Sequence, residues 1–307
     1  MESMKILFAG TPAFATAIFE RIYHDNSFTI VGLLCQPDKP FGRKGELKPP
    51  HTKEHFEALG IKILQPTKID EDTIKIIESL APDVILVVAY GKILPIRFLN
   101  IACCINIHAS LLPQWRGASP LQQMLINQPD YFGITAMNIS PKLDSGEILG
   151  YSYLPNTHQD FPTLSLELAQ SGGKLALKVL KNLSSLQALK QIDADSTYCQ
   201  KIKKNDGCVT FDNACEIYHK YLAYCVWPHI FIHSSLGYTL KLSHISLCEA
   251  SSSNTQGEIL AIESDSIIIG CAKGSLRIQT LQQEGKKALS AVEYLCGKRL
   301  KIGEILC

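Results

Sequence analysis

The chain has 307 residues, 46% of them hydrophobic and 19% charged, which excludes a disordered or collagen-like polymer and, at roughly 100–200 residues per domain, suggests two folded units. Thirty Lys and Arg against 29 Asp and Glu leave a net charge of +1, so global charge does not announce a nucleic-acid partner. The longest apolar run, Val84 to Tyr90, is far short of the ~18 residues of a membrane span. The start, MESMKILFAG, lacks the charged region and cleavage site of a signal peptide, and the expected location is cytoplasmic.

In chain order the first half alternates short β-rich apolar runs with amphipathic stretches, the habit of a mostly parallel sheet flanked by helices. The expected strands are Lys5–Ala9, Ile30–Gln36, Lys62–Leu64, Val84–Ala89, Cys104–Ile107, Ile134–Ile139 and Ile148–Leu154. Helices are expected over Ala13–His24, Thr52–Leu59, Asp70–Leu80 and Ser119–Asn127, the last with Ser119 as cap, Pro120 at the first helical position and Gln122 completing a capping box. After a helix near Leu164–Asn182, the polar, aperiodic stretch around Ser184–Ser196 reads as an interdomain connection. A helix over Asn213–Cys225 then precedes short strand-like runs at Ile230–His233, Thr239–Ile245, Glu258–Ile262, Ser266–Cys271 and Ser275–Thr280, separated by Gly, Ser and Asn. This part predicts a small antiparallel barrel or sheet. The fold class is therefore α/β, a Rossmann-like sheet followed by a smaller, OB-like β-barrel, with boundaries at 1–188, a linker over 189–205, and 206–307.

Eleven cysteines are scattered and odd in number, and no CxxC pair occurs, so neither a disulfide framework nor a metal site is indicated. The adjacent Cys103 and Cys104 read either as core thiols or as a reactive pair that lacks an evident base. Gly10-Thr11-Pro12 follows the first strand, but the later glycines of a dinucleotide-binding turn are missing, so a plain strand-to-helix turn competes with that reading. Phosphate-loop, HExxH and GxSxG motifs are absent from the sequence.

The informative segment is CCINIHASLLPQWRGASP, residues 103–120. Asn106 and His108 are two apart on an expected strand and face one side, at the strand end where open α/β sheets keep ligands. They either satisfy buried backbone groups or act on a substrate. Asp144, in the turn LDSGEIL, could return a carboxylate to the same sheet edge. Together the three suit acyl-type transfer to an amine: the imidazole handles a proton, the carboxylate orients it, and the amide donates to a developing oxyanion.

The stretches NIHASLLPQWRG and LDSG resemble the shared signature of the folate-dependent formyltransferases, and the likeness extends through FAGTPAFA, QPDKPFGRKGELKPP, VVAYGKILP, TYCQKIKK and GKKALSAVEYL. This resemblance implies transfer of a formyl group from 10-formyltetrahydrofolate to the α-amino group of methionine on initiator tRNA, without a metal. By matching positions it makes Asn106, His108 and Asp144 the catalytic trio. The folate would lie beside Val88, Ala89, Tyr90 and Gly91, with Ser110, Leu111, Leu112 and Pro113 shaping the pocket. The basic loop Asp38–Pro50, with Arg43, Lys44 and Lys48, and then Lys204, Lys286, Lys287 and Arg299, would meet tRNA phosphates. Two departures from the family pattern occur: Val209-Thr210-Phe211 replaces an isoleucine-aspartate-tryptophan run, and Cys225-Val226 replaces asparagine-proline before Trp227-Pro228. The alternatives are a formyltransferase with a small amine acceptor, such as a nucleotide sugar or glycinamide ribonucleotide, a hydrolase that releases formate, and a noncatalytic nucleic-acid-binding module. A monomer is the default expectation.

Overall fold

A computed structural model describes residues 3–42, 45–234 and 237–306. Its contacts divide into two compact units: Met1–Pro120 with Asp130–Pro155 and Thr163–Gln200, and Leu121–Pro129 with Asn156–Pro162 and Lys201–Cys307. The stretch 189–205, expected as a linker, is thus shared, its first twelve residues belonging with the first unit.

The chain begins with β1 (Met4–Gly10), α1 (Ala13–Tyr23), β2 (Phe28–Leu34), a hairpin of β3 (Lys39–Phe41) and β4 (Glu46–Lys48), α2 (His51–Glu57) and β5 (Ile63–Leu64). It continues through α3 (Glu71–Leu80), β6 (Val84–Val88), α4 (Ile96–Leu99), β7 (Cys103–His108), β8 (Arg116–Gly117), α5 (Pro120–Asn127), β9 (Tyr131–Asn138), β10 (Ile148–Pro155) and α6 (Phe161–Lys181). A short β11 (Tyr198–Cys199) follows. The central seven-stranded sheet runs β10-β9-β7-β6-β1-β2-β5. From β5 to β7 the neighbours are parallel, and β9 and β10 add antiparallel pairs at one edge.

Burial explains this order. All five residues of β6, VILVV, are buried, as a parallel strand covered on both faces must be. On one face Phe8 stacks on Phe19 of α1 with ring centroids 4.3 Å apart, and Phe56 of α2 closes against Phe8 at 5.6 Å. On the other, Leu7, Ala9, Ile85, Val87, Tyr90, Phe98 and Cys104 form one cluster. Gly10 lies where these layers meet, since a Cβ there would stand 2.6 Å from the Val88 carbonyl oxygen and 2.7 Å from the Phe19 ring. Close packing, rather than a pyrophosphate, accounts for this glycine.

Local signals behave unevenly. Asp70 caps α3, its carboxylate accepting from the Thr73 amide at 3.0 Å and hydroxyl at 2.7 Å, and these bonds hold its pKa below the ordinary value. Ser119, expected to cap α5, instead donates its hydroxyl to the Gln200 carbonyl at 2.6 Å. The second unit adds α7 (Ala214–Tyr224), β12 (Ile230–His233), β13 (Thr239–Glu249), β14 (Ile259–Ile262), β15 (Ile267–Gly270), β16 (Ser275–Gln283), β17 (Leu289–Ser290) and α8 (Ala291–Lys298). These strands form a six-stranded antiparallel sheet in the order β12-β13-β16-β15-β14, with β17 on β16. Leu240, Leu242, Ile278 and Leu281 of these strands are buried in its core. No helix among the described residues is long and apolar enough to cross a membrane.

Candidate active site

β7 lies between β6 and β9, with Asn106 opposite Val87 on one side and Met137 on the other, and His108 opposite Thr135. Both side chains fall on one face, because strand residues two apart share a side. His108 is 6% exposed, and Asn106 is half-buried. Among the described residues the Asn106 carboxamide has no hydrogen-bond partner, so its N–H groups are free to donate to a substrate.

The chain after His108 turns back on itself. Thr135 is the pivot: its hydroxyl donates to the Ser110 carbonyl at 2.6 Å and accepts from the Leu112 amide at 3.1 Å. The Ser110 hydroxyl donates to the Gln114 carbonyl at 2.6 Å, the Leu112–Pro113 peptide is cis, and Trp115 adopts a left-handed backbone with φ of 55°. The Trp115 carbonyl thereby returns to His108, whose Nε2–H donates to it at 3.0 Å.

Asp144 comes from the loop between β9 and β10 and also has a left-handed backbone, φ 46°. Its Oδ2 accepts the Gly117 amide at 2.8 Å and stands 3.7 Å from His108 Nδ1. That separation is an ion-pair distance, too long for a hydrogen bond. Both ring nitrogens of His108 therefore face oxygen acceptors. A neutral imidazole carries one N–H and satisfies one of them at a time, whereas a doubly protonated ring serves both.

A strap over 189–200, with a 3-10 turn at Asp193–Asp195 before β11, bonds to these turns. β11 pairs in parallel with β8, the Arg116 amide donates to the Thr197 carbonyl at 2.9 Å, and the Trp115 amide donates to the Thr197 hydroxyl at 2.8 Å. Arg116 is fully buried. Its guanidinium donates to Gln191 Oε1 from Nε (3.0 Å) and Nη2 (2.8 Å), and from Nη1 to the Tyr198 hydroxyl (3.1 Å) and the Asp193 carboxylate (2.9 Å). Lys142 and Arg116 both hold the Asp193 carboxyl below its ordinary pKa, and the Arg116 hydrogen bond lowers the Tyr198 phenol. Sequence reasoning did not single out Thr135, Arg116, Gln191 or Thr197. Arg116 had a visible signal in the WRG triplet, and Thr197 in its place at the head of TYCQKIKK.

The residues expected around a folate fall into two groups. Ala89 and Gly91, directly after β6, have left-handed backbones with φ of 45° and 82°, and among the described residues nothing stands within 4 Å of the position a Gly91 Cβ would take. Their amide and carbonyl groups pair with no other described residue, as a loop that reads a heteroaromatic edge requires. Val88 is buried at the strand end, and the Tyr90 carbonyl accepts from Thr11 at 3.2 Å and Gln36 at 3.0 Å. By contrast, Ser110 and Leu112 are committed to the turn, the Leu112 carbonyl accepting from Tyr151 at 3.0 Å, while Leu111 and Pro113 are half-buried beside them. Burial pushes the Cys104 thiol up to about 12, the reverse of an activated nucleophile.

Of the expected phosphate-binding residues, Arg43 and Lys44 lie outside the described residues. Lys48 stands over the Phe41 ring at 5.0 Å across the β3–β4 hairpin. Lys204 faces Glu284 at 3.8 Å. Lys286, Lys287 and Arg299 are exposed, the first two in the turn before β17 and Arg299 at the end of α8.

Sheet and turns bring Asn106, His108 and Asp144 to one candidate site, and the comparisons give the class of protein, a formyl-transferring enzyme. The chain belongs to the formyl transferase family: residues 4–180 match the formyl transferase model and 201–299 match the formyl transferase C-terminal domain. It is 47% identical over 306 residues to the methionyl-tRNA formyltransferase of Helicobacter pylori, covering 99% of this chain and 100% of that one. The methionyl-tRNA formyltransferase of Wolinella succinogenes is 44% identical over 307 residues, covering 99% of each. Among solved structures, WlaRD, a sugar 3N-formyl transferase studied with dTDP and 5-N-formyl-tetrahydrofolate, shares the fold with a TM-score of 0.66 at 18% identity, covering 94% of this chain and 100% of that one.

Proposed function

We propose that the protein transfers the formyl group of 10-formyltetrahydrofolate to the α-amino group of methionyl initiator tRNA. The observation that carries this reading is the end-to-end likeness to methionyl-tRNA formyltransferases through both matched regions. A bound folate supplies an activated formyl carbon, and Ala89 and Gly91 offer the unpaired backbone groups to hold its ring.

The remaining chemistry belongs to the chain's own side chains. An α-amine has a pKa of about 7.7–8.0 and must shed a proton to attack. His108 Nδ1 accepts that proton, directly or through water, and the doubly protonated ring then donates to the Trp115 carbonyl and faces Asp144 Oδ2. Asp144, fixed by the Gly117 amide, balances the new charge and holds the ring's orientation. The Asn106 carboxamide donates to the carbonyl oxygen as it gains negative charge, a contribution commonly of about 2.7–4 kcal/mol; collapse then breaks the bond between the formyl carbon and the folate nitrogen, and that nitrogen takes back the proton held by His108. Lys48, Lys204, Lys286, Lys287 and Arg299, with Arg43 and Lys44, supply phosphate contacts that position tRNA without reading sequence.

The test is acceptor competition. Purified protein with labelled 10-formyltetrahydrofolate is expected to formylate methionyl-tRNA and to leave free methionine, uncharged tRNA and amino sugars linked to nucleotides unlabelled. Preferential labelling of a small amine would replace this reading with the small-acceptor one, and acceptor-independent release of formate would replace it with hydrolysis.

A further inference from the structure

Gln191 occupies the point where the two halves of the candidate site are joined. Its Nε2 donates to the Asp144 carbonyl at 3.0 Å and to the Gly146 carbonyl at 2.7 Å, while its Oε1 accepts both Arg116 bonds. One carboxamide thus ties the loop bearing Asp144 to the turn bearing Trp115, Arg116 and Gly117. The Asp144 side chain makes the same crossing through the Gly117 amide.

The loop needs such a tie. Asp144 sits in a left-handed backbone that a non-glycine residue holds only when its surroundings over-determine it. Gly146 is pressed so closely on the Asn138 carbonyl that a Cβ would stand 1.7 Å from its oxygen, which fixes one end of the loop but not the carboxylate. Lys142, at the other end, holds Asp193 on the strap at 2.6 Å. Leu189 anchors the strap itself by exchanging backbone bonds with Ile148 at 2.7 and 2.9 Å. Gln191 alone among these contacts bonds the backbone of Asp144 itself.

We propose that Gln191 is a positioning residue of the formyl transfer, setting Asp144 against His108 through the carbonyls of the 144–146 turn and through Arg116. The proposal rests on the reading that Asn106, His108 and Asp144 carry the chemistry. Gln191 touches no reacting group. Its effect belongs in turnover and in the pH dependence of turnover rather than in substrate binding, because a misplacement of about 1 Å in a catalytic group costs about 10²-fold in rate.

Two variants test this. Gln191→Glu keeps the acceptor for Arg116 and sets a carboxylate against two carbonyls; Gln191→Met keeps the volume and removes every polar contact. With methionyl-tRNA and 10-formyltetrahydrofolate as substrates, each is expected to lower kcat about 10²-fold, to keep both KM values within about twofold, and to change the shape of the pH–rate profile. Thermal unfolding is followed in parallel. Wild-type kcat and pH profile in either folded variant overturn the proposal. So does failure of both variants to fold, or a loss of turnover that only tracks the folded fraction, since Gln191 would then serve the fold and not the reaction. The parent reading fails separately, when His108→Ala turns over like the wild type.

Discussion

Asn106 and His108 are two residues apart on β7, and the physical consequence of that spacing is that an amide donor and a proton acceptor point to the same place. Their pairing was legible because strand alternation is a property of the backbone alone. Asp144 was legible as a turn next to a strand, but its approach to His108 Nδ1 depends on a left-handed residue and the Gly117 amide, neither of which leaves a mark in composition. Asp144→Asn keeps the shape and the bond from Gly117 but removes the charge opposite the imidazole. Its kcat is expected to fall by about 10²-fold or more with a changed pH–rate profile, and an unaltered profile would count against the ion pair. Asn106→Ala is expected to cost about 10²–10³-fold in kcat through the lost oxyanion donor, read from initial rates at saturating substrates. Tyr90 makes a separate point. Its hydroxyl is buried with no partner among the described residues, and burial pushes it up to about 12. Tyr90→Phe removes an unsatisfied group, so urea unfolding is expected to show unchanged or higher stability, by up to about 1–3 kcal/mol.

Among the elements, the central strands and their flanking helices follow from apolar runs and periodicity, and the expected and observed spans differ by only a few residues at each end. Each failure has its own local cause. The β3–β4 hairpin is exposed on nearly every residue and lies in a stretch rich in Gly and Pro, so burial imposes no alternation on it. The strap over 189–200 holds its partners through hydrogen bonds made by Gln191 and Thr197 and accepted by Tyr198 rather than by an apolar face, which makes it read as a connection. α8 is short and carries Gly297 within it. At the junction of β1 and α1, Gly10→Ala brings a methyl onto the Val88 carbonyl, Phe19 and Ala15. A destabilisation of about 1–3 kcal/mol is expected, measurable as a lower urea midpoint with an unchanged slope; an unaffected midpoint would mean that this corner yields easily.

For the whole molecule, an even charge balance concealed the binding function that the family likeness implies, because phosphate contacts need only local basic groups. Stability has its own pH dependence in the second unit. Burial, aided by His158 at one and Lys241 at the other, holds His219 and His229 below the ordinary value of 6.5. Between the lowered and ordinary values the unfolded chain binds more protons than the folded one, so stability is full above about pH 6.5 and is lost as pH falls below it. Melting is expected at lower temperature at pH 5.5 than at pH 7.5, and replacing both histidines with Asn is expected to flatten that difference. The most direct measurement of the whole account is single-turnover transfer of labelled formyl to methionyl-tRNA by wild-type protein and by His108→Ala, each verified as folded. The account predicts rapid labelling of the aminoacyl-tRNA by the wild type and a rate at least about 10²-fold lower for the variant; equal rates, or a wild type that leaves methionyl-tRNA unlabelled, would contradict it.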